Sequence, residues 1–179
     1  MKPFSSLDLA VSYWLMPCPR TQQRFDALSR RTQSGLRGCT LDAHITLYSD
    51  RLDDEETSMD RLGQVAKAGH PILLSPRAIE AGPLFTTSLI VRFAASGELN
   101  SWFTQLHDLS PQQLGYQLNP HLSLLYSTEA APSRQAMAAV LPLPAPALFN
   151  RVRAVVHPLR ISTANDIAAF TTLGEFTLA

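Results

Sequence analysis

The chain has 179 residues, 45% of them apolar, 8% aromatic and 17% charged, enough to bury about 70% of its unfolded surface without disulfide staples. Fifteen basic and fifteen acidic residues leave zero formal net charge. That excludes duplex nucleic acid and an anionic membrane surface as main partners, while a small anionic ligand at a locally positive site stays open. Cys18 and Cys39 have neither zinc-ligand spacing nor a disulfide framework and read as buried free thiols. No basic N-terminal stretch leads into a long apolar run, so a cytoplasmic protein is expected.

Residues 9–16, Leu-Ala-Val-Ser-Tyr-Trp-Leu-Met, read as a buried strand stopped by Pro17 and Pro19. Residues 20–33 carry Phe25 and Leu28 at helical spacing and end before Gly35. A strand over 42–48 leads to Asp53, an N-cap with Glu56 three residues on, and Met59, Leu62, Val65 and Ala66 then share one helix face before Gly69. Segments 71–80 and 86–93 predict two strands around the turn Ala81-Gly82-Pro83. Leu99, Trp102, Phe103 and Leu106 mark a helix, and a strand over 121–126 follows. A short helix over 132–141, a stiff connector at Pro142, Pro144 and Pro146, and closing strands over 149–161 and 168–178 complete the order. This predicts one domain over 1–179 of the α+β class, with two mainly antiparallel sheets facing each other across a central groove and helices outside.

One tetrapeptide pattern occurs twice, as His44-Ile45-Thr46-Leu47 and His121-Leu122-Ser123-Leu124. On a strand, the histidine and the hydroxyl share one face and the two aliphatics the other. Two such fits among five histidines would be roughly a 1% coincidence for independently drawn residues. A polar inner face on a central strand breaks core patterning unless it borders a wet, ligand-binding cleft. Two opposed imidazoles can divide a displacement, one taking a proton from water and the other delivering one to the leaving oxygen. In-line displacement at phosphorus has that geometry, with Thr46 and Ser123 placed to hold the non-bridging oxygens. No HExxH, no Asp/Asn ligand loop and no third histidine near either motif is present, so neither metal nor cofactor is expected.

His70, His107 and His157 read as structural or solvent-facing. Arg151 and Arg153 share a strand face that reads as solvated, the alternative being contact with a second phosphate of a substrate. Trp14 and Phe85 fit either core or a ligand platform.

The motif residues resemble the 2H phosphoesterase superfamily, and within it the eukaryote-type cyclic phosphodiesterase branch. Asn119-Pro120-His121-Leu122-Ser123-Leu124-Leu125-Tyr126 is similar to that branch's Pro-His-Leu-Ser-Leu-Leu-Tyr segment, and Ser12-Tyr13-Trp14-Leu15-Met16-Pro17 resembles its Ser-x-Trp-x-x-Pro strand. Ala43-His44-Ile45-Thr46-Leu47 matches the first motif, with Ala43 where proline is common. The resemblance implies a bilobal fold with pseudo-twofold symmetry and cofactor-free hydrolysis of small cyclic phosphates. The implied substrates are nucleoside 2′,3′-cyclic phosphates, opened to the 2′-phosphate, and ADP-ribose 1″,2″-cyclic phosphate. By the same resemblance His44 and His121 carry acid–base catalysis, Thr46 and Ser123 bind phosphate, and Tyr126 and Trp14 line the site. A monomer is expected, although the sequence does not reveal the oligomeric state. Tyr126 lies five residues past His121 and faces the other way unless the strand bulges. Alternatives are an RNA-end 2′,3′-cyclic phosphodiesterase or 2′-5′ RNA ligase-like enzyme, and a nucleotide-binding module without turnover.

Overall fold

A computed structural model of the chain describes residues 9–111 and 114–179. Strand β1 (Leu9–Pro17) is buried along almost its whole length because it lies between two antiparallel partners, β2 (Ile45–Arg51) and β7 (Ala147–Pro158). Strand β7 is long enough, at 12 residues, to take two more partners end to end on its other edge. Ala147–Phe149 pair with β3 (Ile72–Leu74), and Arg151–Val156 pair with β8 (Thr171–Thr177). A second antiparallel sheet has the order β4 (Pro76–Glu80), β5 (Leu89–Phe93) and β6 (His121–Leu125). The predicted α+β arrangement of two antiparallel sheets is therefore present.

Helices α1 (Pro19–Gln33), α2 (Glu55–Ala68), α3 (Gly97–Asp108), α4 (Ala131–Val140) and α5 (Ala164–Ala168) connect the strands. Their starts follow from the local sequence. Pro19 occupies the first turn of α1, where its missing N–H costs nothing. Ser96 caps α3 by accepting from Leu99 N, and Thr163 and Asp166 form a reciprocal capping box on α5. The cap of α2 is Asp54, which accepts from Thr57 N; Asp53, the expected cap, instead pairs with Arg61. Among the described residues no helix is long and apolar enough to cross a membrane.

Several strand boundaries differ from expectation: the predicted strand 86–93 begins at Leu89 after a 3-10 turn over Phe85–Thr87, and 149–161 is realised as Ala147–Pro158. The extended run 71–80 changes sheets at Ser75, with Ile72–Leu74 pairing to β7 and Pro76–Glu80 to β5. Pro76 sits at the first position of β4, where a strand tolerates a residue without an N–H. The first motif strand begins at Ile45, so His44 stands at its mouth. The predicted closing strand 168–178 loses its start to α5 and begins at Thr171. Both cysteines are free, as expected, but half-buried.

Both motif strands carry a β-bulge at the same place. In β2, Tyr13 pairs with Tyr48 but Trp14 with Thr46, which leaves Leu47 as the extra residue. In β6, Ile90 pairs with Ser123 but Leu89 with Leu125, which leaves Leu124 extra. The extra residue resets the alternation of faces. Leu47 with Tyr48, and Leu124 with Leu125, are accordingly all fully buried in one core. Ser49 and Tyr126, each three residues beyond its motif hydroxyl, return to the face of that hydroxyl.

Candidate active site

Each motif histidine is held by the carbonyl two residues before it. His44 Nδ1 lies 2.7 Å from Asp42 O, and His121 Nδ1 lies 2.6 Å from Asn119 O. A carbonyl oxygen only accepts, so in both rings Nδ1 carries the hydrogen and Nε2 is left as the basic nitrogen. The residue supplying that carbonyl is anchored in turn by an arginine. Arg153 donates to the Asp42 carboxylate at 2.7 Å and to Glu175 at 2.8 Å. Arg92 donates to the Asn119 side-chain oxygen, and to Glu80 at 2.9 Å. The duplication thus extends outward from the histidine to an Asx two residues earlier, an arginine on another strand of the same sheet, and a glutamate beyond.

All six residues expected at the site, Trp14, His44, Thr46, His121, Ser123 and Tyr126, line one cleft of about 240 Å³. Its remaining lining is Ser12, Ser49, Thr86, Tyr116, His157, Leu159, Ile161 and Phe170. A wider depression of about 460 Å³ lies on the other side of Trp14 and Phe170 and contains neither motif histidine. A row of rings forms one wall of the cleft. His44 stacks on Trp14 with centroids 3.6 Å apart and planes at 8°. Trp14 touches Phe170 at 5.8 Å, and Phe170 stacks on His157 at 4.7 Å. Trp14 therefore holds the His44 imidazole on one face while still bordering both the cleft and the wider depression.

Burial sets the charge state. Desolvation drives the His44 pKa down to about 3, helped by the nearby His121, and the same cause lowers His121. Both rings are therefore neutral at rest. Burial also pushes the Tyr126 phenol up to about 12, so it stays a hydrogen-bond donor, beside the Ser123 hydroxyl. Ser123 Oγ donates to the Thr86 carbonyl at 2.9 Å, and Tyr116 OH to the Thr46 carbonyl at 3.0 Å, fixing both motif strands from outside.

Other expectations changed. Arg153, which borders the wider depression, is held by Asp42 and Glu175, and Arg151 by Glu175 and the Pro17 carbonyl, so both guanidiniums are ion-paired rather than solvated. Phe85 packs on Tyr126 at 6.0 Å but borders a different pocket. His157 lines the cleft although no local pattern marked it. Ser49 and Tyr116 were equally silent in the sequence, because one needs the bulge and the other a loop to reach the site.

No protein-family profile matches the chain, and no curated protein sequence matches it. Solved structures do. TT0787 of Thermus thermophilus superposes with a TM-score of 0.66 at 15% identity, over 94% of this chain and 97% of that one. E. coli LigT, in complex with 3′-AMP, gives 0.57 at 13% identity over 96% and 98%. A third structure, of a phosphoesterase, gives 0.53 at 16% identity over 94% and 98%. The chain shares their fold. Among the described residues no group of three or more His, Cys, Asp or Glu side chains could hold a metal ion.

The buried imidazoles tie stability to pH. His44 titrates near 3 when folded and near 6.5 when unfolded, so below about pH 6.5 only the unfolded chain takes up its proton. Its stabilising contribution is complete above about pH 6.5 and is lost as pH falls toward 3. Urea denaturation of wild type and His44→Gln between pH 7 and 4 checks this. The wild-type curve should fall more steeply, by up to about 1.4 kcal/mol per pH unit, and parallel curves would contradict it.

Proposed function

We propose that the protein is a 2H phosphoesterase that opens a small cyclic phosphate, a nucleoside 2′,3′-cyclic phosphate or ADP-ribose 1″,2″-cyclic phosphate, without metal or other cofactor. The observation that carries this reading is the pair of rings with Nδ1 locked on a carbonyl and Nε2 free, each followed by a hydroxyl on the same cleft wall. The donor set of the cleft, neutral imidazoles and hydroxyls without a carboxylate or thiolate, suits proton transfer better than metal ligation. The shared fold of a phosphoesterase, and of LigT holding 3′-AMP, supports the same reading.

The chemistry follows from the geometry. A phosphodiester entering the cleft brings a negative charge into a poorly solvated space, which raises the pKa of the adjacent imidazoles and lets one ring hold a proton. The neutral ring takes a proton from water as the water oxygen bonds to phosphorus. The protonated ring gives its proton to the ribose oxygen as the ester P–O bond breaks. Thr46 and Tyr126 donate to the non-bridging oxygens, whose charge grows in the transition state, and Ser123 joins them by turning its single hydroxyl hydrogen from the Thr86 carbonyl to the phosphate. Products are a phosphomonoester and a free hydroxyl, and the two rings have exchanged protonation states.

A 2′-5′ RNA ligase-like role on RNA ends would require contacts to a phosphate backbone, and no lysine or arginine lines the cleft. Incubation with each cyclic phosphate in excess EDTA should yield the monoester, and His44→Ala or His121→Ala should lower kcat by about 10²- to 10⁴-fold. If both variants still bind a nucleoside monophosphate but the wild type turns over neither substrate, the nucleotide-binding module is the right reading. The arginine anchors give a second test. Arg92→Met and Arg153→Met should each lower kcat about tenfold with KM little changed, because the imidazole loses its alignment and the phosphate contacts stay. An unchanged kcat would remove the anchors from the mechanism.

A further inference from the structure

The cleft holds a third histidine that the hydrolysis above does not use. His157 is 5% exposed and stacks on Phe170. Its Nδ1 lies 2.8 Å from the Pro158 carbonyl oxygen, and its Nε2 lies 2.7 Å from Ser12 Oγ. Ser49 Oγ lies 2.9 Å from Ser12 Oγ. The hydrogens can be assigned in order. Nδ1 carries one, since the carbonyl can only accept, and burial keeps the ring neutral, so Nε2 accepts. The single hydroxyl hydrogen of Ser12 is then committed to Nε2, and the Ser49 hydroxyl donates to Ser12 Oγ. The chain of bonds ends in serine lone pairs on the cleft wall.

Such a chain has a direction, and it selects a ligand group. Oxygens with unfilled lone pairs and no hydrogen to give will take a hydrogen-bond donor and reject an anion. The surroundings agree. None of the 14 residues lining the cleft is Lys, Arg, Asp or Glu. The guanidiniums of Arg92, Arg151 and Arg153 are bound to carboxylates or to protein oxygens, while Arg30 and Arg153 border the adjoining depression rather than this cleft. The cleft is also lined by Phe170, Leu159 and Ile161, and burying Ser12 and His157 there, with Ser49 half-buried, costs desolvation with no gain in core packing. Along β1, Ser12 is two residues, about 7 Å, from Trp14, the residue stacked under His44.

We propose that Ser12, Ser49 and His157 form a sugar subsite that accepts a hydrogen bond from the ribose hydroxyl left free in a nucleoside 2′,3′-cyclic phosphate. The site then prefers an uncharged nucleoside over a substrate continuing into a pyrophosphate. This rests on the cyclic-phosphate reading and narrows it to one of its two substrates.

The test compares adenosine 2′,3′-cyclic phosphate with its 5′-deoxy analogue, which lacks that hydroxyl. Wild type should favour the parent about tenfold in kcat/KM, the effect of one neutral hydrogen bond. Ser12→Ala and Ser49→Ala should each bring the ratio close to one. Ser49→Ala keeps the pairing of Ser12 with His157, so it remains informative if Ser12→Ala folds poorly. A wild-type ratio near one, a ratio untouched by Ser49→Ala, or faster turnover of ADP-ribose 1″,2″-cyclic phosphate than of the nucleoside would overturn the subsite. Calorimetric binding of adenosine 2′-phosphate and its 5′-deoxy analogue needs no turnover. A tenfold difference in Kd that Ser49→Ala abolishes supports the subsite even if the wild type hydrolyses nothing, and an absent difference overturns it.

Discussion

A backbone carbonyl accepts hydrogen bonds and cannot give them, and the whole site depends on that asymmetry. Placed behind each motif imidazole, it fixes the tautomer and leaves Nε2 as the only basic nitrogen. The carbonyl is useful only while its residue stays still, and Asp42 and Asn119 are each tied by an arginine that is itself tied to a glutamate. Charge is thus kept one layer behind the cleft, where it braces the machinery while the lining stays neutral.

The bulges solve a related problem. A regular strand offers a ligand every second side chain, yet β2 and β6 must each also fill a continuous core. The extra leucine in each strand lets two consecutive apolar residues face inward and returns the next side chain to the cleft. Leu47 and Leu124 therefore shape the site without touching it. The same device in both halves, at the same distance from the histidine, extends the internal symmetry beyond the tetrapeptides.

Much of this was legible in the sequence wherever the signal was local. Alternation and capping residues marked the elements, the repeated His-x-Ser/Thr pattern marked four residues, and the family resemblance added Trp14 and Tyr126, all six of which share a cleft. What was hidden depends on partners distant in sequence. Nothing in residues 71–80 shows that the chain changes sheets at Ser75. Tyr126 looked misdirected because a bulge is a property of a strand pair. His157 looked structural because its partners, Ser12 and Ser49, are more than 100 residues away. Arg153 looked solvated or substrate-facing because its carboxylates come from a loop and from β8. The Asx two residues before each histidine was visible, but its meaning came only with the arginines.

The central claim is that His44 and His121 act on one phosphorus atom through their Nε2 atoms. Nitrogen-15 NMR of the labelled imidazoles during titration with vanadate or inorganic phosphate addresses it directly. Nε2 of both rings should shift together, with a single affinity and a gain of protonation, while both Nδ1 signals keep their hydrogen-bonded positions. A response confined to one ring, or two responses with separate affinities, would contradict the account.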